Sequence, residues 1–152
     1  MTEWLEVQGY RLALDRYYER AGHLWVLVLG PGRVRLGMDP LGVETTGSLA
    51  QVALAPPGTA VRRGEPFGSV EAEKFVGPLV APLSGTVVAG NAAAEADPWL
   101  VHRDPFGEGW LAELAPSDLA HDLPLLAHGV GEVTSWFEGA VAGYRLRGVL
   151  AE

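Results

Sequence analysis

The chain has 152 residues, 48% of them hydrophobic, and a formal net charge of −8. That length suits one domain with a modest core, and that composition predicts a packed globule. The negative balance excludes the basic footprint that nucleic-acid binding needs, and the lack of cysteine excludes thiol catalysis, disulfides and thiolate metal sites.

Residues 1–6 show no basic region leading into a long apolar run, so no signal peptide is expected. No run of about 18 apolar residues occurs anywhere, so no membrane span is expected and the default location is the cytoplasm. Residues 1–22 are mixed and give no clear period. Leu24 to Leu29 is an apolar run closed by Gly30, Pro31 and Gly32, and Arg33 to Leu36 alternates after it; this reads as a hairpin. Asp39 followed by Pro40 reads as an N-cap with proline at the first helical position. The helix near residue 40 should be short, because Gly42 and the β-branched Thr45 and Thr46 limit it.

From Ser48 to Leu114 the texture is all-β. Short apolar pieces recur at Gln51 to Leu54, Phe67 to Val70, Leu79 to Ala81, Thr86 to Ala89, Leu100 to His102 and Trp110 to Leu114. Gly- and Pro-rich turns separate them, which predicts a small sandwich or flattened barrel. Gly58 to Val61 (GTAV) is echoed 27 residues later by Gly85 to Val88 (GTVV), as a repeated hairpin unit or chance would produce. In the tail, Val133, Trp136, Phe137, Ala140, Val141 and Tyr144 follow i, i+3, i+4 spacing and predict one helix of roughly four turns, laid on the barrel.

Ten of the 11 basic residues are arginine; Lys74 is the single lysine. Arginine keeps its proton and does not attack an acyl group, whereas a lysine amine can. Drift in an arginine-favouring genome would leave the same composition, so the neighbourhood of Lys74 decides. Lys74 lies between the strand-like pieces Phe67 to Val70 and Leu79 to Ala81, which puts it at a hairpin tip, exposed and open to modification. A solvated turn lysine flanked by Glu71 and Glu73 is the ordinary alternative.

The spacing resembles the modification site of lipoyl and biotinyl carrier domains. Glu71 precedes Lys74 by three positions, and Ala81, Pro82, Leu83, Ser84 and Gly85 match the turn that follows the lysine in those families. Two further blocks resemble the glycine-cleavage H-protein family. His23 to Val26 (HLWV) is similar to its His-x-Trp-Val strand. Asp97 to Val101 (DPWLV) and Asp104 to Leu111 (DPFGEGWL) are similar to its paired Asp-Pro signature. The methionines that flank the lysine in biotin acceptors are absent. The likeness runs from about Tyr17 to about Asp118.

Within that likeness the site itself departs: Glu71 to Pro78 reads EAEKFVGP, where typical H-proteins have Glu-Ser-Val-Lys-Ala. The Phe75 continuation resembles a divergent branch of H-like lipoate-binding proteins, some of which serve sulfur-handling pathways.

The resemblance implies a mostly β, flattened barrel or sandwich of the lipoyl-domain type, with a short helix near residue 40 and a C-terminal helix. It implies a single domain over 1–152, with a lipoyl-like core of about 17–118 and a helical extension of about 119–152. It implies lipoate joined covalently to Lys74, with Glu71 and Gly85 as recognition and tip context. The carrier would shuttle an aminomethyl group among glycine decarboxylase (P-protein), aminomethyltransferase (T-protein) and dihydrolipoyl dehydrogenase (L-protein), after loading by a lipoate-attaching enzyme. It would be no enzyme itself and have no catalytic residue. A lipoate carrier for sulfur oxidation or lipoate relay, and an unlipoylated structural paralogue, stand as alternatives. His23, His102, His121 and His128 lack close metal-ligand spacing, so no metal is expected; His23 is expected as a packed or hydrogen-bonded strand residue that could border a pocket for the arm. Glu71 and Glu73 do not read as a hydrolase pair.

Overall fold

In the computed structural model, which describes residues 2–150, antiparallel strands dominate. The chain opens on β1 (Trp4–Val7) and β2 (Tyr10–Ala13), a hairpin that the mixed sequence of residues 1–22 did not announce. Its two-residue turn, Gln8 and Gly9, takes positive φ at both positions, the geometry that suits the right-handed twist of paired strands. Next come β3 (Tyr17–Glu19), β4 (Leu24–Gly30), β5 (Arg33–Met38) and α1 (Pro40–Thr46). Then follow β6 (Leu49–Leu54), β7 (Ala60–Val61), β8 (Pro66–Ala72), β9 (Val76–Val80) and β10 (Gly85–Gly90). The remainder is α2 (Ala92–Ala96), α3 (Trp99–Arg103), β11 (Ala112–Pro116), α4 (Leu119–Asp122), a 3₁₀ turn at Leu123–Leu125 and α5 (Val130–Leu146).

One sheet runs β3-β4-β5-β11-β10-β7 and the other β6-β8-β9. Leu24, Val26, Val34, Leu36, Val87 and Leu114 of the first sheet share one buried cluster with Val52, Phe67, Val70 and Leu79 of the second. This is the expected sandwich, with helices at residue 40 and at the C-terminus. The GTAV and GTVV pieces are neighbours: Val61 pairs with Gly85 and Ala60 with Thr86.

Strand β4 is apolar on both faces for a reason. Leu24 and Val26 point into the sandwich, while Trp25 joins a second core with Tyr18, Leu41 and the α5 residues Val133, Phe137 and Val141. Helix α5 therefore covers the outer face of this strand, and its stripe of apolar residues is the one legible in the sequence.

The stretch from Ser48 to Leu114 is not wholly β. Leu100 to His102, expected as a strand piece, forms part of α3, and α2 precedes it. Asn91 accounts for α2. Its Oδ1 accepts from Ala93 N (3.2 Å), and its Nδ2 donates to Glu108 O (2.8 Å) and Trp110 O (2.7 Å). It caps one helical turn and ties it to the approach of β11.

Candidate functional site: the Lys74 turn

Strands β8 and β9 pair from Pro66↔Val80 to Glu71↔Val76, which leaves Glu73, Lys74 and Phe75 at the bend. The hairpin closes with Ala72 N donating to Phe75 O (2.9 Å). Lys74 is exposed. Among the described residues its side chain enters no ion pair and no hydrogen bond, whereas Arg16, Arg33, Arg35 and Arg63 are each paired with an acid. The side chain is thus solvent-facing and outside ion-pair distance of any carboxylate among the described residues.

The bend rests on the link between α1 and β6. Lys74 N donates to Thr46 O (3.0 Å) and Glu73 N donates to Ser48 O (3.0 Å). Gly47 sits between them with φ +81° and ψ −163°, a region open essentially to glycine alone. Behind this link, His102 Nε2 accepts from Leu49 N (3.2 Å), and the Trp99 ring stacks on the imidazole. Burial lowers the His102 pKa, partly offset by the Gly47 backbone, which favours the neutral ring that can accept.

Helix α1 is anchored by Asp39, which is fully buried. Its Oδ1 accepts from Gly42 N (2.8 Å) and its Oδ2 lies 3.0 Å from His23 Nδ1. His23 precedes β4 with φ 55° and stacks on Trp136. It is both hydrogen-bonded and part of a groove wall.

That groove, about 520 Å³, runs beside the bend. Its walls include Leu24, Met38, Val70, Leu79, Tyr144 and Val149, and Lys74 and Phe75 stand at its edge. Phe75 folds back over its own strand, since a Cβ added at Gly77 would lie 2.8 Å from Phe75 Cζ.

Of the other residues singled out by sequence, Glu71 is exposed at the last pair of β8 and β9, next to the bend. Gly85 is not brought there. It opens β10, past the far end of β9, and five residues of strand cover roughly 17 Å. Gly85 is buried where β11 passes closely: a Cβ there would lie 2.5 Å from Ala115 O. The four histidines are dispersed, and among the described residues no group of three or more His, Asp or Glu side chains is placed to hold a metal. Sequence reasoning missed Thr46, Gly47 and Ser48. A glycine just after a short helix is a stop signal, but its contact with a turn 27 residues away leaves no local trace.

Comparison with known proteins places the chain in a family. The family model for "Glycine cleavage H-protein" matches residues 16–135. Glycine cleavage system H protein 2 of Aquifex aeolicus is 36% identical over 124 residues, covering 82% of this chain and 77% of that protein. The glycine cleavage system H protein of Mycobacterium avium is 42% identical over 106 residues, covering 70% and 80%. The crystal structure of a glycine cleavage system H protein from Mycobacterium marinum superposes with a TM-score of 0.65 at 39% identity, covering 70% of this chain and 87% of that one. The chain belongs to the glycine cleavage H-protein family, a family of lipoyl carriers.

Proposed function

We propose that Lys74 is the lipoate attachment point, and that the chain acts as the carrier of glycine cleavage rather than as a catalyst. One observation carries this: the chain's single lysine is exposed on a hairpin bend, unpaired among the described residues, beside an apolar groove. These residues fit the group. Lys74 Nζ forms an amide with the carboxyl carbon of an activated lipoyl group; the activating group leaves and the amine gives up a proton. Loss of that positive charge breaks no ion pair among the described residues. When bound, lipoate supplies a dithiolane that is reduced, reoxidised and able to carry a one-carbon unit.

The chain's own part is to hold and present. The β8–β9 hairpin fixes the base of the arm, and the groove offers apolar walls at Leu24, Val70 and Leu79 against which an alkyl chain is out of water. Glu71 and Glu73 flank the bend as exposed recognition features for the loading enzyme. The partners would be glycine decarboxylase, aminomethyltransferase and dihydrolipoyl dehydrogenase. A net charge of −8 would speed docking on basic surfaces, with on-rates that fall as salt rises.

The test is incubation with a lipoate-attaching enzyme, lipoate and ATP, followed by intact mass and peptide mapping. One added lipoyl group on Lys74 is expected, and Lys74→Arg should accept none while unfolding within about 0.5 kcal/mol of the parent. Modification of the Lys74→Arg chain would refute the assignment. A loaded chain that glycine decarboxylase does not use would move the carrier to another pathway.

A further inference from the structure

The bend that carries Lys74 is three residues long and exposed, yet it is tied by two backbone hydrogen bonds to a segment outside its own hairpin, Thr46 to Ser48. An exposed bend needs no such tie to satisfy its amides, because water does so. What the tie adds is a fixed origin for the lysine side chain. We propose that Gly47 is a positioning residue for modification of Lys74. The segment Thr46–Ser48 forms a strap against which the bend is seated, and only glycine at 47 lets the two backbones meet. The inference rests on the reading of Lys74 as the modified residue.

Three observations support the strap. Gly47 adopts φ +81° and ψ −163°, so its backbone is unsuited to a side chain. The space is closed as well: a Cβ at 47 would lie 2.9 Å from Glu73 Oε1, 3.2 Å from Glu73 Cβ and 3.3 Å from Lys74 Cγ. The carboxyl oxygen and Lys74 Cγ can swing away by side-chain rotation, but Glu73 Cβ is fixed to its backbone and gives way by a few tenths of an ångström only if the bend moves. Finally, the strap has support behind it, since Leu49 N donates to His102 Nε2. A side chain at 47 therefore presses on Glu73 Cβ and is relieved by a small outward shift of the bend, which carries the adjoining Lys74 with it.

The experiment separates this contact from the backbone cost. Gly129 lies in the same glycine-only region, φ 86° and ψ 162°, but nothing lies within 4 Å of a Cβ built there. Gly129→Ala thus carries a similar conformational penalty without touching the bend. Lipoyl transfer would be followed under single-turnover and steady-state conditions for the parent, Gly47→Ala and Gly129→Ala. Amide hydrogen exchange at Glu73 and Lys74 would be followed in the same three chains.

In the parent, both amides should exchange at least about tenfold more slowly than unstructured ones, despite lying on an exposed bend. In Gly47→Ala that protection should fall, and kcat/KM for modification should drop by about tenfold, the scale expected when a reacting group is misplaced by a fraction of an ångström. Gly129→Ala should leave both within about twofold, whatever its loss of stability. Unprotected Glu73 and Lys74 amides in the parent would overturn the strap. Modification of Gly47→Ala at the parental rate would overturn the role of Gly47. A parent that takes no lipoate at all would instead sink the reading of Lys74, and the exchange data would still decide whether the strap exists. If Gly47→Ala does not fold, the parental exchange measurement decides alone.

Discussion

Asp39 ties three parts of the molecule together, so its truncation is the sharpest test of how the site is held. Its side chain is fully buried, accepts from Gly42 N at 2.8 Å and lies 3.0 Å from His23 Nδ1. Asp39→Ala removes the N-cap of α1, which costs about 0.5–2 kcal/mol. It also strips a buried imidazole nitrogen of its partner, which costs about 1–3 kcal/mol. The two losses share one residue and are not independent, so about 2–4 kcal/mol is expected in all. In a chain of this length each kcal/mol lowers Tm by roughly 2–4 °C. Asp39→Asn keeps an oxygen for Gly42 N and a polar group facing His23, so it should lose about 1 kcal/mol or less. Equilibrium unfolding in urea gives both values, and an unchanged slope with denaturant shows that the transition is comparable. An Asp39→Ala chain within about 0.5 kcal/mol of the parent would refute the argument that this buried side chain anchors α1.

Phe137 is fully buried in the core between α5, the β1–β2 hairpin and β4. Phe137→Ala should destabilise the chain by about 3–5 kcal/mol in the same urea experiment, and a loss under about 1 kcal/mol would mean that α5 does not cover β4 as described. Glu113 on β11 accepts from Arg33 Nε and Arg35 Nε, both at 2.7 Å. Burial pushes its pKa up, but the Arg35 and Arg33 guanidiniums outweigh this and hold it below the ordinary 4.5. A lowered folded pKa means that the contribution is present above the unfolded value and is lost as pH falls through the folded one. Glu113→Gln should therefore be less stable than the parent at pH 7, by about 1–2 kcal/mol because both arginines reach solvent. The gap should close as pH falls below about 4; a gap that stays constant with pH would show that ionisation of Glu113 is not the cause.

The elements legible in the sequence are those whose causes are local or periodic. The run Leu24 to Leu29 ends at a Gly-Pro-Gly turn, Asp39 and Pro40 start a helix, and the stripe from Val133 to Tyr144 repeats at 3.6. The β1–β2 hairpin was not legible because each strand is four residues long and its inward residues, Val7 and Leu12, gain their core from distant elements, β4, α1 and α5. Leu100 to His102 misled for a similar reason. A single helical turn is too short to show its period, and the preceding turn α2 is capped by Asn91, which is itself held through carbonyls 17 and 19 positions away. The placement of Lys74 at a hairpin bend was legible from the strand-like pieces on either side of it, whereas Gly47 became meaningful only when a distant bend folded against it.

The solitude of Lys74 has a structural counterpart. Arg33 and Arg35 clamp Glu113 from one strand, and Arg63 reaches Glu19. Arg16 bonds Asp15 and Phe106 O while lying over the Trp25 ring; Arg11 and Arg147 lie over Trp4 and Tyr144. Arg20 donates to Leu125 O and Arg145 to Gln8. The clamp on Glu113, the two-partner bonding of Arg16 and the ring contacts suit a planar, delocalised cation with several fixed donors, and an ammonium performs them poorly. Eight of the ten arginines thus have a partner, and five of them, Arg11, Arg16, Arg33, Arg35 and Arg147, use several donors or lie over a ring; Lys74 has no side-chain partner among the described residues. A cation with no structural duty would be replaceable by arginine, glutamine or serine without loss to the fold. What distinguishes lysine from those residues at an exposed bend is an amine that can become an amide, so the chemistry that a lysine alone permits is the reason to look for at position 74.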